Sequence, residues 1–260
     1  MIRVVVAGAS GWVGKALIPA IQAQDDLALA GAVSRGAAGQ EVAPGVVIAA
    51  TLEEALAIPS DVVVDYTKPN VVKAHILTAL AAGRRVVVGT SGLGAADYAE
   101  IEALARARNL GVVAAGNFSI TATLLKRFTL MTARYVPDVE IIDYASAGKP
   151  DAPSGTAREL AERLGTVSTH EHVVAVDRTL GHPEARGAQI AGTPVHSLRL
   201  PSFVVSTEVV FAQPDERLSI RHDAGSTPTP YVAGTLLAIR AVSQNVGVVR
   251  GLDTLLLDSQ

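Results

Sequence analysis

The chain of 260 residues contains no cysteine, which excludes disulfide bonds, thiol chemistry and thiolate metal ligands. Aromatic residues are scarce at 4%, and charged residues make up only 18%. The formal net charge of −3 provides neither a basic surface for nucleic acid nor a strong attraction to an anionic membrane. No apolar run reaches the roughly 18 residues that a membrane-spanning helix needs. We therefore expect neither nucleic acid nor a membrane as a partner.

Hydrophobic residues are abundant, at 49%, and this predicts a compact globular fold instead of disorder. A chain of this length can bury one large core or two smaller ones. The N-terminus enters a valine-rich run at once and lacks the layout of a signal peptide. We expect a cytoplasmic protein.

A glycine-rich turn follows the first predicted strand, residues 2–7, whose valines suit a buried parallel strand. Apolar residues then recur at helical spacing. Strand, glycine turn and helix in this order form the context of a dinucleotide-binding fingerprint, in which the backbone approaches a pyrophosphate closely. A purely structural turn is the alternative. The predicted cofactor-binding residues of the turn are Gly8, Ser10, Gly11, Trp12, Val13 and Gly14.

The second predicted strand, residues 27–33, ends at Ser34 and Arg35. A site specific for NAD usually places a carboxylate here for the ribose 2′-hydroxyl. A hydroxyl and a guanidinium suit a 2′-phosphate instead. The pair therefore favours NADPH over NADH, the alternative being a surface loop that contains an arginine by chance.

Helices and strands alternate up to residue 134, and the pattern then changes. Strands are predicted at residues 61–65, 86–88 and 112–115, and helices at 70–82, 95–109 and 120–134. Further strands are predicted at 139–144, 173–176, 195–200, 203–210 and 217–221, and a last long helix at 227–243. Strands clustered without alternating helices indicate a second domain with a mixed sheet. We predict an α/β protein with a Rossmann-type parallel-sheet domain (1–117 and 227–260) and an inserted α+β domain (118–226).

The stretch from Lys149 to Ala157, KPDAPSGTA, combines two prolines and a glycine, so it is a rigid loop. Thr156 followed by Glu159 reads as a capping box and predicts that a helix starts at Thr156. A helix start presents unpaired N–H groups and partial positive charge, so the loop suits a carboxylate. A well-capped helix without a ligand is the alternative. His170 and His172 lack a third ligand, and we predict no metal site.

The chain resembles the dihydrodipicolinate reductases, which reduce a cyclic imino dicarboxylate with a nicotinamide cofactor on the bacterial route to lysine. The resemblance rests on residues 139–143 (VEIID), Lys149, residues 151–157 (DAPSGTA) and three loops: DYTKP at 65–69, GTSG at 89–92 and GNFS at 116–119. It implies that Lys149, Ser154, Gly155 and Thr156 hold a substrate carboxylate. It implies cofactor contacts at Tyr66, Thr67, Gly89, Thr90, Ser91, Gly116, Asn117 and Phe118. It also implies a homo-oligomer, namely a tetramer built on the open sheet face of the inserted domain. Arg199 lies where the family keeps an arginine.

One departure concerns the proton donor. The family has two adjacent histidines where this chain has Ala145 and Ser146. Lys149 is our predicted catalytic residue, with Tyr144 or water as alternatives. Three functions stay open: a reductase of the family's imine, a relative acting on another imino or keto acid, and a non-catalytic NADPH sensor.

Overall fold

The computed structural model describes residues 1–168 and 173–256. Its helices are α1 (Trp12–Gln22), α2 (Leu52–Leu56), α3 (Val72–Ala81), α4 (Ala95–Ala107), α5 (Ile120–Thr132), α6 (Gly155–Leu164) and α7 (Thr229–Ala241). The strands of the first half are β1 (Ile2–Ala7), β2 (Leu27–Val33), β3 (Glu41–Ala43), β4 (Val46–Ala49), β5 (Val62–Asp65), β6 (Arg85–Val88) and β7 (Gly111–Ala114). The strands of the second half are β8 (Val139–Ala145), β9 (Ala188–Ile190), β10 (Thr193–Arg199), β11 (Val205–Gln213), β12 (Glu216–Ala224) and β13 (Gly247–Arg250).

Two compact units divide the chain, the first formed by Met1–Ile120 and the segment from Thr227 onward, the second by Thr121–Ser226. The first unit contains a sheet in the order β13-β7-β6-β5-β1-β2-β4-β3, parallel except for the β3–β4 pair. Its central strands are valine-rich and buried, with one apolar core on each face of the sheet. Helices on both faces of a parallel sheet make this a doubly wound, Rossmann-type unit.

The second unit contains a mixed sheet in the order β12-β11-β8-β10-β9, in which β8 and β10 are parallel and the other pairs antiparallel. Its core lies between the sheet and the helices α5 and α6, where Ile141, Leu160 and Phe211 are buried. Strand β8 alternates strictly between buried and half-buried residues. One face of this sheet therefore carries the core, and the opposite face is open within the unit.

The predicted fold class is confirmed, and the four long helices predicted at 70–82, 95–109, 120–134 and 227–243 lie within two residues of α3, α4, α5 and α7. The strand predicted at 173–176 is wrong: Val176–Arg178 forms a 3-10 turn, and Val173 is fully exposed. The β-branched valines there have the propensity of a strand, but no face of the segment is buried to stabilise one. His170 and His172 lie outside the described residues.

Within residues 1–168 and 173–256, no helix combines the length and the apolar character that crossing a membrane would require.

Candidate active site

The glycine turn after β1 is packed so tightly that two of its glycines are obligatory. Gly8 has φ +90°, and a Cβ there would lie 2.2 Å from the carbonyl oxygen of Tyr66. A Cβ on Gly14 would lie 2.2 Å from the carbonyl oxygen of Gly8, which brings α1 close to the strand. Gly11 is the N-cap of α1 and supplies no side-chain cap. The first N–H groups of α1 are thereby left for a ligand.

Trp12 and Val13 open α1. Trp12 is 55% exposed, and its ring stands edge-on to Tyr231 of α7 at 5.8 Å between centroids. Val13 is half-buried. The backbone N–H groups of both residues belong to the first turn of α1, where the pyrophosphate is predicted to bind.

The turn is joined to the end of β2 by a hydrogen bond of 2.5 Å between the hydroxyls of Ser10 and Ser34. Arg35 follows, is exposed, and its guanidinium makes no hydrogen bond or ion pair with the described residues. A guanidinium that follows Ser34 in the chain and stays unpaired suits an anionic group of a pyridine nucleotide. The residues present therefore fit the predicted cofactor.

The loop after β5 is held by a buried carboxylate. Asp65 Oδ1 accepts hydrogen bonds from the Thr67 amide at 3.0 Å, the Thr67 hydroxyl at 2.7 Å and the Thr90 hydroxyl at 2.6 Å. Its other oxygen lies 2.8 Å from His75 Nδ1. The loops that end β5 and β6 are thus tied to one side chain.

Tyr66 is a packing residue. Its hydroxyl is 2.6 Å from the Thr235 hydroxyl of α7, and burial raises the pKa of the phenol although that hydrogen bond lowers it. A Cβ on Gly89 would lie 2.1 Å from the Tyr66 ring, so the ring explains why residue 89 is glycine. Tyr66 and Gly89 are both predicted cofactor residues, and only their backbone atoms remain available to a ligand. Ser91, next along this loop, is exposed.

In the loop after β7, too, a predicted cofactor residue places its side chain in the core. Phe118 is 1% exposed, with its ring edge-on to Tyr66 at 6.1 Å, so its side chain belongs to the core. Asn117 Oδ1 accepts from the Ser119 amide at 2.8 Å and shapes the turn. A Cβ on Gly116 would meet no described atom within 4 Å, so the space beside it is open. The loops after β1, β2, β5, β6 and β7 all follow carboxyl ends of parallel strands, where sheets of this kind bind ligands.

In the second unit, the loop before α6 has the expected open helix start, but the predicted capping residue is wrong. Helix α6 begins at Gly155, and its N-cap is Ser154, whose hydroxyl accepts from the Ala157 amide at 3.3 Å. Thr156 instead lies in the first turn and is exposed. The prediction failed because Ser154 has a further partner, Asp143, which fixes it as the cap and which lies 11 residues away in sequence.

Asp143 organises this loop. Its fully buried carboxylate accepts from the Ser154 amide at 2.8 Å, the Ser154 hydroxyl at 2.7 Å and Arg199 at 2.7 Å. Burial alone would raise the pKa of Asp143, but the hydrogen bonds from Arg199 and Ser154 outweigh it and hold the pKa below its ordinary value. Arg199 also donates to the Asp151 carbonyl at 2.7 Å. Ser154 is therefore buried in the support of the loop.

The atoms that remain for an anion are the amides of Gly155 and Thr156, the Thr156 hydroxyl and Lys149. In the described part of the chain those two amides have no hydrogen-bond partner. A Cβ on Gly155 would meet no described atom within 4 Å, so nothing within the unit requires glycine there. Glycine at an open helix start permits close approach of a ligand.

The structure separates the two side chains that are candidate proton donors, Lys149 and Tyr144. Lys149 Nζ forms an ion pair of 2.8 Å with Asp151 in the loop itself. The Tyr144 hydroxyl donates to Glu208 at 2.9 Å, and because β8 alternates, Tyr144 faces away from Asp143 and α6. Burial and Glu208 raise the pKa of Tyr144. Lys149 therefore lies in the loop that leads to the open helix start, and Tyr144 lies on the opposite face of β8.

At the two positions of the missing histidines, Ala145 is fully buried at the end of β8, whereas Ser146 is exposed. Neither side chain is a strong acid or base. The site thus contains no imidazole at either position.

Sequence reasoning missed the supporting roles of Asp65 and Asp143. The signal was present in the patterns: Asp65 ends an otherwise all-valine strand, and Asp143 lies on the apolar face of β8. A carboxylate in such a position must be hydrogen-bonded. In residues 1–168 and 173–256, no group of three His, Asp or Glu side chains is placed to hold a metal ion.

Fold and site together define an α/β oxidoreductase with a pyridine-nucleotide-binding unit. The family described as "Dihydrodipicolinate reductase, N-terminus" matches residues 2–118, and "Dihydrodipicolinate reductase, C-terminus" matches residues 120–256. The chain belongs to the dihydrodipicolinate reductase family. Relatives named 4-hydroxy-tetrahydrodipicolinate reductase are 38% identical in Desulfitobacterium hafniense (over 271 residues) and in Moorella thermoacetica (over 270), with 98% of each chain covered.

Solved structures share this fold. The dipicolinate-bound dihydrodipicolinate reductase of Paenisporosarcina sp. TG-14 superposes with a TM-score of 0.88 at 29% identity, covering 98% of this chain and 99% of that one. An engineered D-amino acid dehydrogenase bound to NADP⁺ shares the fold at a TM-score of 0.61 and 13% identity, covering 100% of this chain and 97% of that one.

Proposed function

We propose that this chain is an NADPH-dependent reductase of a cyclic imino dicarboxylate, the reaction named for its relatives in the lysine and diaminopimelate route. The observation that carries the proposal is the open start of α6, where two unpaired amides and Thr156 stand in the same loop as Lys149. This set of donors suits a carboxylate. The pathway assignment rests on the relatives' names.

The bound cofactor supplies a hydride to an imine or conjugated enamine carbon, and a proton must reach the neighbouring atom. The amides of Gly155 and Thr156 hold the substrate carboxylate, and Asp143 with Arg199 keeps the loop in place. Lys149 donates the proton, or positions the water that does so. Its ion pair with Asp151 is 30% and 46% exposed, and such a pair contributes about 0–1 kcal/mol. Exchange of Asp151 for a substrate carboxylate therefore costs little.

Support for NADPH over NADH comes from Ser34 and Arg35 at the end of β2, where no carboxylate faces the ribose position. We also propose the cytoplasm as its location.

We also propose a homo-oligomer, a tetramer, built on the open face of the mixed sheet. That face carries Ile142, Leu198 and Val210, which together with flanking residues line a cavity of about 740 Å³. Apolar side chains on an uncovered sheet face favour burial against another surface.

A second candidate function is reduction of a different imino or keto acid, which Ala145 and Ser146 favour. A positioned general acid contributes about 10²–10⁴-fold to a rate, and the family's histidines are absent from this chain.

The deciding experiment is an assay of the cyclic imine with NADPH, beside a panel of imino and keto acids. We expect turnover of the imine by the wild type and a loss of at least about 100-fold in Lys149→Ala, with NADPH binding retained. Turnover restricted to another acid would establish the second candidate. Full activity of Lys149→Ala would remove this lysine from the chemistry.

Ser146→His tests the missing imidazole. Ser146 is exposed and tolerates a larger side chain, whereas histidine at the buried Ala145 would overpack the core at a cost of about 1–3 kcal/mol. A rise in imine turnover in Ser146→His alone would show that the pocket is preserved.

A further inference from the structure

Four side chains of the first unit form one hydrogen-bonded network at the carboxyl ends of β5 and β6. Asp65 is fully buried and takes three hydrogen bonds on Oδ1, two from Thr67 and one from Thr90. His75, on α3, binds the other oxygen at 2.8 Å and is 22% exposed. Two loops and one helix therefore meet at a single carboxylate.

The direction of these hydrogen bonds follows from chemistry. A carboxylate oxygen only accepts, so both threonine hydroxyls donate their hydrogen to Asp65. The Thr90 oxygen also accepts from the Thr67 amide at 2.7 Å. Toward a ligand, the Thr67 and Thr90 hydroxyls can then act as acceptors only. They suit an O–H or N–H donor and not a phosphate oxygen.

The strand order says which part of a nucleotide meets these acceptors. Strands β5 and β6 lie on one side of β1, and β2, with Ser34 and Arg35, lies on the other. A dinucleotide with its 2′-phosphate at Arg35 and its pyrophosphate at the glycine turn extends its nicotinamide half over β5 and β6. The donors on that half are the ribose hydroxyls and the carboxamide N–H groups.

We propose that Asp65 and His75 are positioning residues that orient the Thr67 and Thr90 hydroxyls as acceptors for a donor on the nicotinamide half of the cofactor. The inference rests on the proposed function. His75 fixes one carboxylate oxygen, and the other oxygen is thereby aimed at both threonines. Asp65 is fully buried, so both residues act on the cofactor through the threonines.

The first test compares three variants on α3. His75→Leu removes the donor to Asp65, His75→Asn keeps an N–H near the position of Nδ1, and Thr78→Val is a control on the same helix that faces Glu53. We expect His75→Leu to weaken NADPH binding about three- to tenfold, His75→Asn to stay within about twofold of wild type, and Thr78→Val to be unchanged. Binding of dipicolinate should be the same in all of them.

Two results would overturn the positioning role. One is a lower melting temperature of His75→Leu with NADPH affinity unchanged, and the other is equal weakening in His75→Leu and His75→Asn. A wild type that binds no NADPH would instead overturn the proposed function itself. The two failures are therefore distinguishable.

The second test identifies the donor. The 3-acetylpyridine analogue of the cofactor lacks the amide N–H groups, and a deoxy analogue lacks a hydroxyl of the nicotinamide ribose. We expect wild type and Thr67→Ser to disfavour one of these about three- to tenfold relative to NADPH, and Thr67→Val to lose that preference. The group that the disfavoured analogue lacks is the donor to the threonine hydroxyls. Equal binding of both analogues and NADPH by wild type would refute the acceptor role.

Discussion

At the scale of single residues, two buried carboxylates hold the loops that present the ligand-binding groups. Asp65 is the last residue of β5, and Asp143 lies two residues before the end of β8. Both are fully buried and take hydrogen bonds from the loop that follows their strand. A buried charge is costly unless it is paired and hydrogen-bonded. Each carboxylate is therefore stable only when its loop is in the observed position, which makes the loop geometry specific.

Asp143 should make the stability of the second unit sensitive to acid. Because its pKa is lower in the folded chain than in the unfolded chain, its stabilisation is fully present above the ordinary value of about 3.9 and is lost as pH falls through the folded value. Removing one partner of a buried ion pair costs about 3–5 kcal/mol. We expect Asp143→Asn to melt lower at pH 7 and to lose less stability on going from pH 5 to pH 3.

The control is Asp215→Asn, an exposed turn residue whose φ of +63° asparagine tolerates. Melting curves of the wild type and both variants between pH 3 and pH 7 measure how the stability of each depends on pH. An acid profile of Asp143→Asn that parallels the wild type would contradict the assignment.

Arg35 should set cofactor preference. A hydrogen bond to a charged phosphate contributes about 1.5–3 kcal/mol, roughly tenfold or more in affinity. We expect wild type to bind NADPH at least tenfold more tightly than NADH, and Arg35→Ala to lose most of that difference. Titration of both cofactors measures it, with the exposed Arg108→Ala at the end of α4 as control. Equal affinity of wild type for both would refute the assignment.

At the scale of elements, the sequence predicts the strands and loops whose positions depend on local patterns. It predicts less well the features that depend on residues distant in the chain. Valine runs, glycine turns and helical periodicity located β1, β5, β6 and their loops. The cap of α6 was misplaced because Ser154 is fixed by Asp143 and, through it, by Arg199 on β10. The side chains of Tyr66 and Phe118 lie in the core, which no motif can distinguish from a ligand contact.

The start of α6 allows a pair of variants that act as controls for each other. Ser154→Ala removes the cap, about 0.5–2 kcal/mol, and a hydrogen bond of buried Asp143, about 1–3 kcal/mol. We expect it to melt several degrees lower. Thr156→Val, on an exposed side chain, should change stability by no more than about 0.5 kcal/mol and raise the KM for substrate about tenfold. Melting curves and kinetics on both variants separate the roles. If Thr156→Val lowered the melting temperature and left the KM unchanged, Thr156 would have a structural role and no role in substrate binding.

At the scale of the whole molecule, the chain consists of a nucleotide-binding unit and an inserted mixed-sheet unit, matched over their lengths by the two halves of one family. The first unit has apolar cores on both faces of its sheet. The second unit has a core on one face only, because within the unit α6 covers one side of β8 and the other side stays open. That difference is the reason for our proposal that the chain assembles through the second unit.

The open sheet face should therefore hold copies of the chain together. Val210 lies on it between buried Val209 and Phe211, which point to the core. Val210→Lys places a charge on the face, and Val47→Lys makes the same change at an exposed valine of the other unit. By sedimentation at micromolar concentration, we expect wild type and Val47→Lys to be tetramers and Val210→Lys to be smaller, because burying an unpaired ammonium at an interface is costly. Retained circular dichroism would show that Val210→Lys still folds. A monomeric wild type would refute assembly, and a tetrameric Val210→Lys would move the interface elsewhere on the molecule.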